Sequence, residues 1–352
     1  MKQEIIDKIN RLASQDEPFL FVINYQGDKA FIRQLSDINP EECLFDFEGR
    51  GNSSDKMKNN SEKIAEISWQ IAPPLYEDYE RSFDIVKNNI MAGNSYLTNL
   101  TCKVPVSCNL SLEDIFHRAK GKYKLLLRRK RNLNPFVCFS PETFVRIKNG
   151  RIYSYPMKGT LDASLPDAEK QLMEDRKEAA EHATIVDLIR NDLSRVAENV
   201  RVDKYRYIDV LHTNKGDILQ TSSEISGRLP EDYQEHLGEI LDAQLPAGSI
   251  TGAPKDKTMQ IIHEAEGYDR GFYTGIMGIY DQGELNSAVM IRFVEEEASP
   301  SKTEKGKNSE VSRELYFKAG GGITSKSDCR KEYEEVIQKI YLPIQANPSS
   351  EY

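Results

Sequence analysis

Lys158 is the residue whose neighbours best suit covalent chemistry. It lies in the run Pro156-Met157-Lys158-Gly159-Thr160, between a proline that fixes the incoming φ angle and a glycine that lets the backbone turn directly afterwards. We therefore expect a defined bend to present its side chain. The amine could act as a nucleophile if its surroundings keep part of it uncharged. A solvated turn is the alternative interpretation, since most lysines are exposed.

The segment 246–255 (PAGSITGAPK) ends a loop and opens a helix, so it is predicted to favour a bound anion. Free N–H groups and the helix dipole attract negative charge at such a place. Ser249 and Thr251 could hydrogen-bond a ligand, although Thr251 could equally cap the helix. Lys255 falls in the first turn, where its charge opposes the dipole, so we expect it to have a carboxylate partner.

Arg292 and the run Gly320-Gly321-Gly322 each offer groups that suit an anion. A guanidinium binds a carboxylate through two parallel hydrogen bonds, and glycine lets backbone N–H groups come close enough to help. Arg292 stands in an apolar run, which favours a functional role over the alternative of a strand residue that faces solvent.

The elements that must position these residues occur in groups, with strands following strands and helices following helices. Strands are predicted at 19–23, 29–32, 95–106, 123–127, 136–139, 144–147, 151–155, 205–210 and 221–225. Helices are predicted at 4–14, 76–93, 166–197, 233–241, 253–265 and 328–341. Asn149-Gly150 predicts a tight hairpin turn. This grouping indicates an α+β fold rather than a regular alternation of strand and helix.

Polar segments are predicted to be exposed loops. They are the stretch 49–62, the basic run 128–131 and the insertion 295–314, for which we expect a mobile hairpin.

The composition excludes several classes of function. The chain has 352 residues, 39% of them apolar and 29% charged, and a net charge of −9, which argues against nucleic-acid or anionic-membrane binding as its main activity. No apolar run is long enough for a membrane span, and the first residues lack the apolar stretch of a secretion signal, so we expect a cytoplasmic protein. The five cysteines and five histidines show no metal-type spacing.

Several motifs together resemble the chorismate-utilising enzymes, from about residue 80 to the C-terminus. The resemblance is specific, because separate motifs recur in the family's order. They are Ser140-Pro141-Glu142, Lys158, the segments 181–193, 246–255 and 319–323, Arg292 and Glu335. It implies two β-sheets packed as a sandwich with helices on the outer faces. The expected organisation is one synthase domain, with a short N-terminal portion 1–75 and a catalytic core 76–345.

Lys158 makes the sequence most similar to the aminodeoxychorismate branch of this family, since the anthranilate-forming branch typically has alanine there. The resemblance implies that the lysine amine adds at ring carbon 2 of chorismate while the 4-hydroxyl leaves. Ammonia then adds at carbon 4 and expels the lysine. Glu142 is implied as the general acid for the departing hydroxyl, and a rim glutamate at a strand start is the alternative.

The resemblance also implies binding roles. Mg²⁺ would be held by Glu181 and Glu335 and would bind the ring carboxylate; exposed helix glutamates are the alternative. Arg292 would hold the enolpyruvyl carboxylate, helped by the glycines 320–322 and Tyr273, while Ser249 and Thr251 would contact ring substituents. Gln220 stands where many relatives have a histidine, and we assign it a binding role only, because an amide cannot shuttle a proton near pH 7.

The helix residues after Glu181 have an implied structural role. Asp187, Arg190, Asn191 and Asp192 are expected to lock their helix to its neighbours, and the alternative is that they support the site residues from behind.

The expected activity is a Mg²⁺-dependent, transaminase-type amination of chorismate that leads to p-aminobenzoate and folate. No glutamine-hydrolysing constellation is apparent, so ammonia is expected from a separate glutaminase subunit in a heterodimer. Three alternatives remain: an anthranilate synthase component I, an isochorismate-forming enzyme and a non-catalytic chorismate-binding subunit.

Overall fold

The structure is a computed structural model, and it describes residues 1–53, 67–128, 133–213, 216–298 and 313–344. Most of the predicted loop at 49–62, of the basic run 128–131 and of the insertion 295–314 lies outside the described residues.

Two compact units make up the fold, and each is assembled from three separated segments of the chain. The first unit contains Met1–Leu35, Thr143–Lys255 and Thr274–Val289. The second contains Ser36–Glu142, Asp256–Tyr273 and Met290–Tyr352. Each unit carries one antiparallel sheet. The expectation of one synthase domain stays a prediction.

Eight α-helices occur in the described residues. They are α1 (Gln3–Ser14), α2 (Tyr76–Met91), α3 (Leu112–Arg118), α4 (Ala168–Glu174), α5 (Arg176–Leu193), α6 (Leu237–Gln244), α7 (Lys255–Glu266) and α8 (Cys329–Gln338). None of these helices combines the length and the apolar character needed to cross a bilayer.

The strands are numbered in chain order. The first nine are β1 (Phe19–Ile23), β2 (Ala30–Gln34), β3 (Cys43–Phe47), β4 (Arg50–Gly51), β5 (Trp69–Ile71), β6 (Leu97–Cys108), β7 (Tyr123–Leu127), β8 (Phe136–Ser140) and β9 (Thr143–Lys148). The others are β10 (Arg151–Ser154), β11 (Met157–Asp162), β12 (Glu198–Thr213), β13 (Gly216–Arg228), β14 (Gly252–Ala253), β15 (Ile276–Asp281), β16 (Glu284–Val289), β17 (Phe293–Ala298) and β18 (Arg313–Ile323).

The sheet of the first unit has the strand order β11-β13-β10-β9-β16-β15-β1-β2, and β12 pairs with β13. Its strand β1 is a continuous apolar run, FLFVI, and all five residues are buried, as expected for a strand with both faces covered. Gly278 on β15 makes room for this core, since a Cβ there would lie 2.4 Å from the ring of Phe21.

The sheet of the second unit contains the strand order β6-β18-β17-β8-β7-β3-β4, and β5 pairs with the C-terminal end of β6. Helices α2, α3, α7 and α8 cover one face of it with apolar side chains. Representative members of this core are Phe83, Phe116, Ile261, Phe317 and Val336. On each helix, apolar residues three or four positions apart form a stripe, and this stripe packs against every second residue of the strands.

The α+β class is confirmed, and so are most of the predicted elements. Asn149 and Gly150 have φ angles of +51° and +68° and connect β9 to β10, as the hairpin signal predicted. The strand β3, the helix α3 and the hairpin of β15 and β16 were not predicted from the sequence.

The prediction of one helix over 166–197 is wrong, because Asp175 divides it into α4 and α5. Asp175 has an extended backbone, and its carboxylate accepts hydrogen bonds from the backbone N–H groups of Lys177 and Glu178. An aspartate in this position satisfies the free donors of a helix start. The break is a single residue, Asp175, between the end of α4 at Glu174 and the start of α5 at Arg176, so the helical pattern on its two sides suggested one helix.

Candidate active site

Lys158 lies on β11 beside a bulge that Gly159 creates. Lys158 is opposite Thr221 of β13, and the register then shifts at Gly159, whose φ is +78°. A Cβ at Gly159 would be 3.0 Å from a carboxylate oxygen of Glu178, so both the backbone angle and the space favour glycine. The predicted bend is therefore a β-bulge within a strand.

The ammonium group of Lys158 is held by a carboxylate. Its Nζ lies 3.0 Å from Oε2 of Glu181 on α5, and the two side chains are 38% and 19% exposed. Lys177, one turn earlier on the same helix, lies 3.7 Å from the other carboxylate oxygen of Glu181. The predicted nucleophile and one predicted metal ligand are thus neighbours within the first unit.

Glu178 belongs to this cluster, although it was not among the site residues predicted from the sequence. It precedes Glu181 by three positions on α5, so the two carboxylates share a helix face. Burial raises the pKa of Glu178, Lys158 opposes this rise, and Glu181 adds to it. The spacing of three residues was the signal available in the sequence.

His182 joins α5 to strand β13. Its Nε2 lies 2.6 Å from the hydroxyl oxygen of Ser223, which also accepts a hydrogen bond from the backbone N–H of Arg206 at 2.9 Å. The imidazole is completely buried, and this burial, together with the charge of Arg206, lowers the pKa of His182 to about 4. A neutral imidazole therefore fixes the helical turn that carries Glu181.

A buried ion pair closes the base of the loop 245–254. Asp192 on α5 and Lys255 at the start of α7 are 2.8 Å apart and only 9% and 11% exposed. Lys255 Nζ also donates to the carbonyl of Gln244, and the amide of Gln244 donates to the carbonyl of Asp192, each at 2.9 Å. Burial raises the pKa of Asp192, and Lys255 opposes that rise. The expected carboxylate partner of Lys255 is confirmed.

The other residues expected to lock α5 behave differently. Asp187 and Arg190 pair with each other at 2.7 Å, and half or more of each side chain is exposed. Asp192, and not Asp187, is thus the acidic residue that joins α5 to the loop 245–254.

We predict that Lys255→Met lowers the free energy of unfolding by about 3–5 kcal/mol, because it leaves the carboxylate of Asp192 buried without its counter-charge. Urea denaturation measures this loss. The double variant Asp192→Asn with Lys255→Met should recover most of the stability. Lys257→Met, an exposed position on the same helix, is the matched control, and a loss below about 1 kcal/mol for Lys255→Met would contradict the prediction.

The hydroxyl groups of Thr251 and Ser222 are buried and have no hydrogen-bond partner among the described residues. Thr251 is completely buried, and Ser222 on β13 is 1% exposed. Thr251 therefore does not cap α7. A buried unpaired polar group costs about 1–3 kcal/mol, so both hydroxyls suit a polar ligand. Ser249 and Gln220, the other binding residues predicted in this unit, are half-buried.

In the second unit, Arg292 has a left-handed backbone directly before β17. Its φ is +55°, its Nη1 donates to the carbonyl of Lys339 at 2.7 Å, and the guanidinium lies 4.8 Å from the ring centre of Tyr341. Such a backbone costs about 1–3 kcal/mol in a residue other than glycine and occurs often at functional sites. Arg292 is therefore not a solvent-facing strand residue, because the chain turns there and the guanidinium docks at the end of α8.

The glycines 320–322 lie where strand β18 loses one neighbour. Strand β6 pairs with β18 throughout this region, whereas β17 pairs with it only as far as Lys318. A Cβ at Gly320 would lie 2.5 Å from a methyl carbon of Thr101, and a Cβ at Gly321 would point towards Glu332 at 3.6 Å. Within the described part of the chain, no strand covers this edge beyond Lys318, which is what a ligand-binding backbone requires.

Helix α8 and Lys339, the residue directly after it, supply charged groups near this edge. Glu335 lies 2.7 Å from Lys339, and Lys339 Nζ also donates to the carbonyl of Gly320 at 3.1 Å. Glu335 was predicted from the sequence as a site residue, whereas Lys339 and Glu332 were not. Their positions, four residues after and three residues before Glu335, are the helical spacing that could have identified them.

Glu142 and Tyr273 complete the predicted residues of the second unit. Glu142 is half-buried directly before β9, two positions after the end of β8, and its backbone N–H donates to the hydroxyl of Ser140 at 3.1 Å. Tyr273 is 3% exposed, and burial raises the pKa of its hydroxyl far above the usual value. This hydroxyl stays protonated at neutral pH and can donate a hydrogen bond.

The carboxylates of each unit suit Mg²⁺ by their chemistry. The described residues contain no group of three or more His, Cys, Asp or Glu side chains placed to hold a metal ion. Mg²⁺ keeps several waters and often takes only one or two protein carboxylates, so such a group is not required. Glu181 and Glu335 offer hard oxygen donors, and each has a second glutamate one turn earlier on its helix.

Comparison with known proteins agrees with these observations. The profile of the chorismate binding enzymes matches residues 19–345. An uncharacterized PabA-like protein of Haemophilus influenzae is 46% identical over 343 residues, 97% of each chain. Aminodeoxychorismate synthase component 1 of Salmonella typhimurium is 30% identical over 275 residues, which are 75% of this chain and 56% of that enzyme.

A solved structure extends the likeness to the fold. Anthranilate synthase component I from Streptococcus pneumoniae superposes with a TM-score of 0.61 and 25% identity, over 78% of this chain and 59% of that one. The profile match covers most of the sequence, and the motifs that carried the resemblance fall inside it. The chain belongs to the family of chorismate binding enzymes.

Proposed function

We propose that this protein is the chorismate-aminating component of an aminodeoxychorismate synthase. It converts chorismate and ammonia into 4-amino-4-deoxychorismate and water, on the route to p-aminobenzoate and folate. The free amine of Lys158 forms a bond to ring carbon 2, the ring double bonds shift, and the 4-hydroxyl leaves with a proton from Glu142. Ammonia then bonds to carbon 4, the double bonds shift back, and the amine of Lys158 is expelled.

The observation that carries the proposal is the position of Lys158 next to Glu181. A lysine in a solvated turn is not expected to lie beside a glycine bulge within a strand. Nor is its ammonium expected to lie 3.0 Å from a carboxylate on a helix. Because only the uncharged amine attacks carbon, the ion pair must open before the reaction begins. Glu178 and Lys177 add further charge around the same amine.

Substrate binding is assigned to the cationic and hydroxyl groups. Chorismate carries two carboxylates. We assign the enolpyruvyl carboxylate to Arg292, to the hydroxyl of Tyr273 and to the open backbone edge at Gly320, Gly321 and Gly322. The unpaired hydroxyl of Thr251, with Ser249 and Gln220, is assigned to ring substituents.

Glu181 and Glu335 are the residues we assign to Mg²⁺. When bound, the ion would neutralise the ring carboxylate and withdraw charge from the ring. Both glutamates are paired with lysines in the structure, so metal binding would have to compete with these ammonium groups.

Ammonia is proposed to come from a separate glutaminase chain. The reaction then depends on ammonium when this protein is alone, and on glutamine when its partner is present.

The test is incubation of the protein with chorismate, Mg²⁺ and an ammonium salt, followed by mass analysis of the products. We expect a product with the mass of 4-amino-4-deoxychorismate and no pyruvate release. Anthranilate with pyruvate would instead identify an anthranilate synthase, the activity in the name of the structural relative from Streptococcus pneumoniae. Isochorismate, or tight binding without turnover, would also contradict the proposal.

A further inference from the structure

Lys318 is a charged residue in the core of the second unit that the proposed chemistry does not use. Its side chain is 2% exposed, and Nζ forms an ion pair with Oε2 of Glu295 on the neighbouring strand at 2.5 Å. The ammonium also lies 5.6 Å from the ring centre of Phe293 and 5.8 Å from that of Tyr268. Burying an ammonium is costly unless it is paired and hydrogen-bonded, so this arrangement calls for a reason beyond packing.

The same ammonium makes a hydrogen bond to the turn that precedes Tyr273. Nζ of Lys318 donates to the carbonyl of Arg270 at 3.0 Å, and this carbonyl also accepts the backbone N–H of Tyr273 at 3.1 Å. One carbonyl oxygen therefore links the buried lysine to the turn that ends in Tyr273.

Arg270 is itself fixed on its other side. Its guanidinium makes two hydrogen bonds to the carboxylate of Glu266, at 2.6 and 2.8 Å, and donates to the carbonyl of Asn99 on β6 at 2.7 Å. The backbone N–H and the hydroxyl of Thr101 donate to the same carboxylate, each at 2.8 Å. The turn is thus attached to β6 through Arg270 and to β18 through Lys318.

Lys318 is also adjacent in the sheet to residues assigned to the carboxylate. It pairs in register with Phe293, the residue directly after Arg292. It precedes Gly320 by two positions on β18, at the end of the segment that β17 covers. A shift of Lys318 would therefore move the backbone of Arg292, the open glycine edge and the turn of Tyr273 relative to one another.

We infer that Lys318 is a positioning residue that sets the distances among Arg292, Gly320 and Tyr273, and so determines how tightly the protein binds the carboxylate of its substrate. This inference rests on the proposed function, since chorismate is the ligand whose carboxylate these groups would hold. Lys318 acts through the backbone of three elements and does not touch the substrate.

The test removes the buried pair without leaving a lone charge. Lys318→Met alone would strand the carboxylate of Glu295, so the informative variant is Lys318→Met with Glu295→Gln, which keeps the side-chain volumes and the acceptor for Asn134. The matched control is Lys103→Met with Glu297→Gln. That pair joins β6 and β17 of the same sheet at 2.6 Å, but its side chains are 25% and 30% exposed.

Chorismate affinity is measured by calorimetry and turnover by product formation, on protein shown to be folded by circular dichroism. We expect Kd and KM of the buried-pair variant to rise about 10- to 100-fold, because small displacements of binding groups have effects of this size. The kcat should stay within about threefold, since Lys158 and Glu142 are untouched, and the control should match the wild type.

Each contrary result has a distinct meaning. A folded buried-pair variant with wild-type Kd and KM overturns the inference alone, because Lys318 would then serve stability only. An equal loss of affinity in the exposed-pair control overturns it as well. Wild-type protein that does not bind chorismate overturns the proposed function, and the inference with it.

Discussion

Replacing Lys158 with alanine is expected to lower the formation of 4-amino-4-deoxychorismate by at least about 10³-fold, since loss of an enzyme's nucleophile has effects of this order or larger. The proposed covalent step cannot occur without the amine. Chorismate binding should persist, because the assigned carboxylate-binding groups are unchanged. Some anthranilate is expected to appear if ammonia now adds directly to the ring. Product analysis by mass spectrometry and affinity by calorimetry check both parts.

Lys177 provides the matched control for this experiment. It lies 3.7 Å from the same carboxylate of Glu181, but it is 60% exposed and stands on the helix rather than on β11. Lys177→Ala should therefore change the rate by less than about threefold, as expected for an exposed ion pair. Unchanged product from Lys158→Ala would remove Lys158 from the mechanism, and equal losses in both variants would mean that charge near Glu181 matters rather than the nucleophile.

Replacing Glu142 with glutamine is expected to reduce kcat by about 10²- to 10⁴-fold, the usual contribution of a general acid. Glutamine keeps the size and the polar oxygen of the side chain, but it cannot deliver a proton to the departing 4-hydroxyl. The Kd for chorismate should change little, because the side chain is assigned to proton transfer rather than to binding. Steady-state kinetics with ammonium as the nitrogen donor, together with calorimetry, separates the two quantities.

Glu284→Gln is the control for the removal of a carboxylate. Glu284 lies on β16, is 53% exposed and pairs weakly with Lys148 at 3.9 Å. This variant should retain the wild-type kcat. If Glu142→Gln also retains it, Glu142 is a rim glutamate and another group must protonate the leaving hydroxyl.

The ion pairs at Glu181 and Glu335 affect the interpretation of all these measurements. Each carboxylate that we assign to Mg²⁺ has a lysine within 3.0 Å, and an ammonium and a metal ion compete for the same oxygens. Assays should therefore hold Mg²⁺ and ionic strength constant between variants, because a change in either shifts this competition.

Local sequence determined much of the secondary structure. The hairpin at Asn149-Gly150 follows from two residues that tolerate positive φ. Helix α1 follows from an apolar stripe at helical spacing, and its predicted bounds differ from the observed ones by one residue at the N-terminus. The position of Lys255 predicted a carboxylate partner, because a cation in the first turn of a helix is unfavourable unless a negative charge lies beside it. These features depend on neighbours within a few positions, which a sequence displays directly.

Tertiary structure alone decided the contacts on which the proposed chemistry depends. Lys318 stands in an ordinary strand sequence, and it is buried because Tyr268 and Arg270, 50 and 48 residues earlier in the chain, fold against it. The pairing of Lys158 with Glu181 joins two elements through a bulge in the register of β11 and β13. Such contacts bring together residues far apart in the chain, and neither periodicity nor local propensity carries information about distances of that kind.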